Sequence, residues 1–168
     1  LKGAGLDGAR LEGADLNWAR LEGALLDGAR LEGAVLCKAR LEASILSLAR
    51  LERADLQTAR LEGAAISYAR LEAANLVRAR LDGVHLFKAR LDGNTSFERA
   101  TLHGAAARDV TLPAGVMSAD QIAAIFADGS VILPEGVARP DHWPAETLDY
   151  EFNTEWRLWQ SDPDGYRP

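Results

Sequence analysis

The chain has 168 residues, 48% of them apolar and 7% aromatic, with a formal net charge of −6. That composition excludes a disordered chain, and no apolar run approaches the ~18 residues needed to cross a bilayer. The charge is unevenly placed: Leu1 to Leu112 carries 16 Lys/Arg against 15 Asp/Glu, whereas Pro113 onward carries 3 against 10.

A single cysteine, Cys37, excludes an internal disulfide and suits a reducing compartment, so the expected location is cytoplasmic. No signal peptide is expected, because a repeat is already under way at Leu1. The missing initiator Met is consistent with a fragment. Membrane contact is expected only through a segment ahead of Leu1.

From Leu1 to Leu91 a Leu recurs every fifth residue, with Ile66 as the one substitute. Two places before each stands a small residue: Ala4, Ala9, Ala14 and so on, with Ser44, Val84 and Asn94 as departures. An α-helix cannot use this period, since five residues turn it through about 500° and scatter the Leu side chains around its surface. A flat strand fails as well, because an odd period sends alternate Leu residues to opposite faces. A chain that runs two or three residues extended and then turns a corner solves both problems. Ala and Leu, two apart, then point inward together. Four sides close a coil of 20 residues, and coils stack at about 4.8 Å.

The A-x-L-x-x unit resembles the pentapeptide-repeat family, whose motif is A-(D/N)-L-x-x. The likeness covers about twenty consecutive units, and the Asp/Asn before the central Leu survives at Asp15, Asp55 and Asn75. The resemblance implies a right-handed four-sided β-helix, an all-β solenoid. Some members of the family mimic duplex DNA and bind type II topoisomerases such as DNA gyrase. Here Arg mostly replaces the Asp/Asn, which separates this chain from the family's charge pattern.

Four sides per coil give each side its own chemistry. Arg20, Arg40, Arg60 and Arg80 stack on one, beside Glu22, Glu42, Glu62 and Asp82. The opposite side carries Arg10, Arg30, Arg50, Arg70 and Arg90 beside Glu12, Glu32, Glu52, Glu72 and Asp92. Arg and acid are expected ~7 Å apart along the chain, forming a soluble wall that discourages aggregation. A third side places Leu25, Ile45, Ala65 and His85 in one outward column, with Leu48, Tyr68 and Phe87 nearby. Such an apolar stripe on a charged surface marks a contact, with a protein partner, a second copy in a homodimer, or this chain's own tail. The fourth side is mixed.

Register slips by one residue after Leu91, and Phe97, Leu102, Ala107 and Leu112 continue in the shifted frame. Gly93-Asn94-Thr95 is the expected site, through a bulge or a left-handed backbone. The pattern stops near Leu112, dividing the chain into a repeat domain, 1–112, and a cap with an acidic aromatic tail, 113–168. A short capping helix is expected over about 119–128, with Ser118 and Gln121 as its capping box, Ile122, Ile125 and Phe126 as its apolar face, and Gly129 past its end. It is bracketed by two copies of a turn phrase, at Leu112 and Leu133, that could continue the coil. Phe152, Trp156 and Trp159 then fall at i, i+4 and i+7 on a second short helix. Trp156 and Trp159 either hook a partner or fold back over the apolar stripe. This last stretch also looks like the C-terminal segment of some bacterial pentapeptide-repeat proteins.

Chemistry is not expected. His85, His103 and His142 lack metal-ligand spacing, Cys37 has no CxxC partner, and the glycines follow the repeat rather than a phosphate loop. A filled solenoid offers no cleft in which carboxylate pKa values could be set for acid–base work. The expectation is therefore a protein-interaction or scaffold module with no catalytic residues, cofactor, metal or small-molecule substrate. The candidate contact residues are Leu25, Ile45, Leu48, Tyr68, Phe87, Trp156 and Trp159. Mimicry of DNA toward gyrase is the alternative, weakened by the near-neutral rod. Direct nucleic-acid binding is disfavoured by the acids beside each Arg.

Overall fold

The winding follows from where the main-chain hydrogen bonds go. In a computed structural model that describes residues 1–168, the residue between each Ala and Leu forms a single parallel bridge with the residue 20 further on: Gly5 with Leu25, Arg10 with Arg30, Asp15 with Val35, Arg20 with Arg40. Leu21 donates to the Arg40 carbonyl (2.7 Å), and Arg40 donates back to Ala19 (2.8 Å). Four such bridges per coil make a four-sided β-helix. Each side is narrower than the two or three extended residues expected. Two of every five residues are spent on a turn, closed by bonds such as Ala24 N–H to the Leu21 carbonyl (3.0 Å), which leaves one residue free to pair.

The corner explains the glycine of the recurring "ARLEG". The second turn residue has φ near +60°, held by Gly at positions such as Gly23 and Gly33 but by a side-chain-bearing residue at Lys38, Arg53, Thr58 and Tyr68, among others. Left-handed backbone costs an L-residue roughly 1–2 kcal/mol, and a β-branched residue is the least suited to it. Thr58, at φ 57°, is therefore the weakest corner. Thr58→Gly should stabilise the array by about 0.5–1 kcal/mol, read as a rise in the urea midpoint. An unchanged or lower midpoint would contradict this account of the corner.

Inside, Leu21 through Leu86 and their Ala partners form one dry column, with every central Leu or Ile at most 1% exposed. Ser44, standing in an Ala position, is buried and donates its hydroxyl to the Leu41 carbonyl (2.7 Å), so its polarity is satisfied. At the N-terminal end Leu6, Leu11 and Leu16 pack on this column but remain partly exposed.

The register slip lies where the sequence places it. Asn75 pairs with Ser96, Arg80 with Thr101 and His85 with Ala106, an offset of 21. The extra residue is absorbed in the turn after Asp92, but Gly93 and Asn94 keep negative φ, so the left-handed alternative is not used. Instead, Asp92 Oδ1 gathers the N–H groups of Ala73, Asn94 and Thr95 (2.8–3.1 Å). Buried Thr95 donates its hydroxyl to the Leu71 carbonyl (2.8 Å).

Winding continues past Leu112. A two-residue strand, β1 (Ala106–Ala107), pairs in parallel with β2 (Phe126–Ala127), and Thr111 bridges Ile132. Between the strands lies helix α1 (Ala119–Ala123), opened by the expected Ser118–Gln121 capping box. α1 is shorter than the expected 119–128 because Phe126 and Ala127 leave it to pair with the coil below. Main-chain bonding to a neighbouring coil outweighs the weak preference of a short helix. Ile122 and Ile125 still close the core, joined by Val116, Met117 and Trp143. Where no further coil supplies a donor to a carbonyl, side chains replace it. The Gln121 amide donates to Phe97 and Ala100 (2.7 and 2.9 Å), and Trp143 Nε1 donates to Ile125 (2.8 Å). A second helix, α2 (Phe152–Ser161), follows an irregular stretch. Neither helix is long and apolar enough to cross a membrane.

Candidate interaction face

Two opposite sides of the rod are ion-pair ladders. Each Glu is shared between the Arg of its own coil (3.4–3.9 Å) and the Arg of the next (2.8–3.1 Å), as Glu32 is between Arg30 and Arg50. The side chains lean across the coils, so the charges touch rather than stand ~7 Å apart as strand spacing alone suggests. The Glu12 and Glu22 carboxyls are held below the usual range. The largest cause is a hydrogen bond from each residue's own main-chain N–H, with the two flanking Arg residues adding to it against partial desolvation. These walls are neutral coil by coil.

The third side behaves differently along its length. Its outward column runs Gly5, Leu25, Ile45, Ala65, His85, Ala106, Phe126. Toward the N-terminus the column is bare: Leu25 and Ile45 are each 41% exposed, Tyr68 42% and Leu48 55%. Phe87 is half-buried, meeting Tyr68 edge to face with centroids 5.2 Å apart. Lys88 Nζ lies over both rings, at 5.0 and 5.7 Å. Toward the C-terminus α2 covers the same column. Trp156 meets the His85 ring edge to face (4.6 Å), while Phe126 packs against Phe152 (5.4 Å), Trp159 (5.7 Å) and Tyr166 (5.8 Å).

Trp156 and Trp159 are therefore not a free hook. They are 8% and 6% exposed, because their rings are spent on the chain's own stripe, the fold-back alternative. Trp156 Nε1 and Gln160 Nε2 also donate to the Gly104 carbonyl (3.0 and 2.9 Å), giving the indole its polar partner.

Two residues that sequence reasoning passed over hold this arrangement. Asp128, fully buried, accepts from the main-chain N–H groups of Ser130 and Leu148 (2.9 and 2.7 Å) and lies 3.8 Å from Arg108. Arg108 in turn donates to the Asp149 carbonyl and carboxylate (2.8 and 3.1 Å), tying down the approach to α2. The one available signal was arithmetic: continuing the slipped register places Phe126 in the column of Leu25. Beside α2 a cleft of about 260 Å³ opens, lined by Ser67, His85, Phe87, Asn153 and Trp156 among others.

Partial desolvation beside Trp156 lowers the His85 pKa below its ordinary 6.5, although the residue as a whole stays exposed. The folded chain thus favours the neutral ring. That preference is complete above pH 6.5 and is lost as pH falls through the folded value. Acidification from pH 7 to 5 should loosen α2, seen as a red shift in tryptophan fluorescence that His85→Leu abolishes. A shift of equal size in that variant would remove His85 as the cause.

No three His, Cys, Asp or Glu side chains converge in a metal-binding arrangement. Burial raises the Cys37 thiol pKa, the opposite of what a nucleophile needs.

The family model for pentapeptide repeats, eight copies, matches residues 14–53, 54–93 and 66–104, together more than half of the chain. The chain belongs to the pentapeptide-repeat family. Its four-sided β-helix is thus the family's right-handed form. Among solved structures this pentapeptide-repeat chain is similar to a pentapeptide repeat protein of Nostoc Pcc 7120, with 26% identity over 74% of this chain and 84% of that one, at a TM-score of 0.54. It is also similar to a pentapeptide repeat protein from the Arabidopsis thaliana thylakoid lumen (30% identity, 67% and 71% covered, TM-score 0.33). A third similarity is to full-length QnrB1, a plasmid-mediated fluoroquinolone resistance protein (15% identity, 87% and 84% covered, TM-score 0.45). No curated protein matches the chain.

Proposed function

We propose that this pentapeptide-repeat protein is a non-enzymatic interaction scaffold. It would bind another protein through the bare half of its apolar column, at Leu25, Ile45, Leu48, Tyr68 and the half-buried Phe87. The observation that carries the reading is the contrast along one column: α2 shields its C-terminal part, while four large apolar side chains stay in water toward the N-terminus. A rod with a filled core and charge-paired walls presents such a stripe only at a cost in solubility unless something covers it. Mimicry of DNA lacks the same support, because the Arg–Glu ladders neutralise two of the four sides, where a mimic needs an anionic surface.

The double change Ile45→Glu with Tyr68→Glu should leave the fold intact, since both side chains point outward. It should abolish recovery of the native partner from the source cell or lower the solution mass of an assembly. A variant that keeps both the mass and the recovered partner would remove this reading. Inhibition of gyrase supercoiling by the unmodified chain would replace it with mimicry.

A further inference from the structure

From Ile45 onward the apolar column alternates large and small. In order it presents Ile45, Ala65, His85, Ala106 and Phe126. α2 lies over the dip at Ala106, with Trp156 against His85 on one flank and Phe152 and Trp159 against Phe126 on the other. It crosses the column rather than following it. Phe152 sits by Arg108 at one corner, and Trp156 and Gln160 bond to Gly104 at the other.

Ala65 is a second dip of the same kind, between Ile45 and His85. It lies two coils from Ala106, about 10 Å at the spacing of paired strands, and packed helices lie 8–10 Å apart. Tyr68 stands three residues on, at the corner beyond it, and the cleft of about 260 Å³, lined by Ser67, His85, Phe87, Ala106 and Asn153, lies between that side of the dip and α2. Lys88 stands over the Tyr68 and Phe87 rings, toward the end of the seat corresponding to that at which Arg108 holds Asp149 beside α2.

We propose that Ala65 is the floor of a second helix seat, continuous with the one α2 occupies. Its occupant is an amphipathic helix of a partner protein that lies alongside α2. That helix carries bulky apolar residues, at least one aromatic, at i, i+4 and i+7, and an acidic residue in its first turn facing Lys88. One of its aromatic side chains fills the cleft beside Trp156. This is the helix-in-groove mode of recognition, and it rests on the scaffold reading above by naming the partner's chemistry.

The test uses the full chain and a labelled peptide of its own residues 149–161, "DYEFNTEWRLWQS", lactam-bridged on its solvent side to hold the helix. This peptide already suits the column, so it serves as a probe of the vacant seat. Saturable one-to-one binding by fluorescence anisotropy is expected, weakened at least tenfold by Ala65→Glu. The equivalent outward position is Arg50 or Arg60 on neighbouring sides, so Glu is compatible with the coil; an unchanged circular dichroism spectrum checks this. Ile45→Glu should weaken binding as well, whereas Val35→Glu, on another side, should not.

Absence of binding overturns the seat, as does binding that Ala65→Glu leaves unchanged, which would mean that the peptide displaces α2 instead. A chain that sediments as a dimer, and that Ala65→Glu makes monomeric, also overturns it, by making a second copy the occupant. If the Ile45/Tyr68 variant loses its native partner while the peptide does not bind, the seat falls and the scaffold reading stands.

Discussion

Phe126→Ala should cost about 3–5 kcal/mol, the range for truncating a buried phenylalanine, and should release α2 from the rod. Phe126 is fully buried, with the rings of Phe152, Trp159 and Tyr166 within 6 Å. It is the only side chain of the column that meets three tail aromatics. The stacked interior of the rod belongs to a separate cluster, so the loss should be local. Urea unfolding followed by tryptophan fluorescence should show an early transition absent from the parent chain. The far-UV signal of the array should keep its midpoint. Solenoids permit such uncoupling because each coil touches only its neighbours. A single coincident transition displaced by under ~1 kcal/mol would mean that the tail is held elsewhere, through Asp128 and Arg108.

Leu56→Ala should destabilise the array itself by about 3–4 kcal/mol, within the 2–5 observed for buried Leu truncation. Leu56 is fully buried, with Leu36 and Leu76 one coil to either side. The coils cannot sink into the cavity, because Leu36 N–H to Asp55 (2.7 Å) and Leu56 N–H to Asn75 (2.8 Å) fix their spacing. A site that cannot collapse keeps its cavity and pays the larger penalty. Leu6→Ala, at the partly exposed N-terminal end, should cost under ~1 kcal/mol by the smaller area it buries. Equal costs at the two positions would contradict a core whose rigidity comes from main-chain spacing.

Much of this architecture was legible in the residues because it is periodic. A Leu every five positions admits few backbones, and the same count placed the columns, the slip at Gly93–Thr95 and the alternation of charge with apolar sides. Local rules served the Ser118–Gln121 cap and the apolar face of α2 equally well. What stayed hidden depends on contacts between distant segments. α1 reads as a longer helix until Ala106–Ala107 is seen to pair with Phe126–Ala127. Asp128 is one acid among ten in the tail until the fold buries it beside Arg108. Trp156 and Trp159 look equally fit for a partner or for their own chain. Only the position of Phe126 in the column of Leu25 decides between the two, and that requires the winding to run past Leu112.

The turn after Asp92 shows that one added residue can be swallowed at a corner, with every later side still in line. Losing a whole five-residue unit has no such remedy. Everything beyond the cut would rotate by a quarter, so that α2 and the oily patch beneath it would stand in line with an Arg–Glu wall instead of with Leu25 and Ile45. Removal of twenty residues, by contrast, shortens the rod by one storey and leaves its four elevations unchanged. Lineages of this protein should therefore differ in height by whole storeys far more often than by fractions of one.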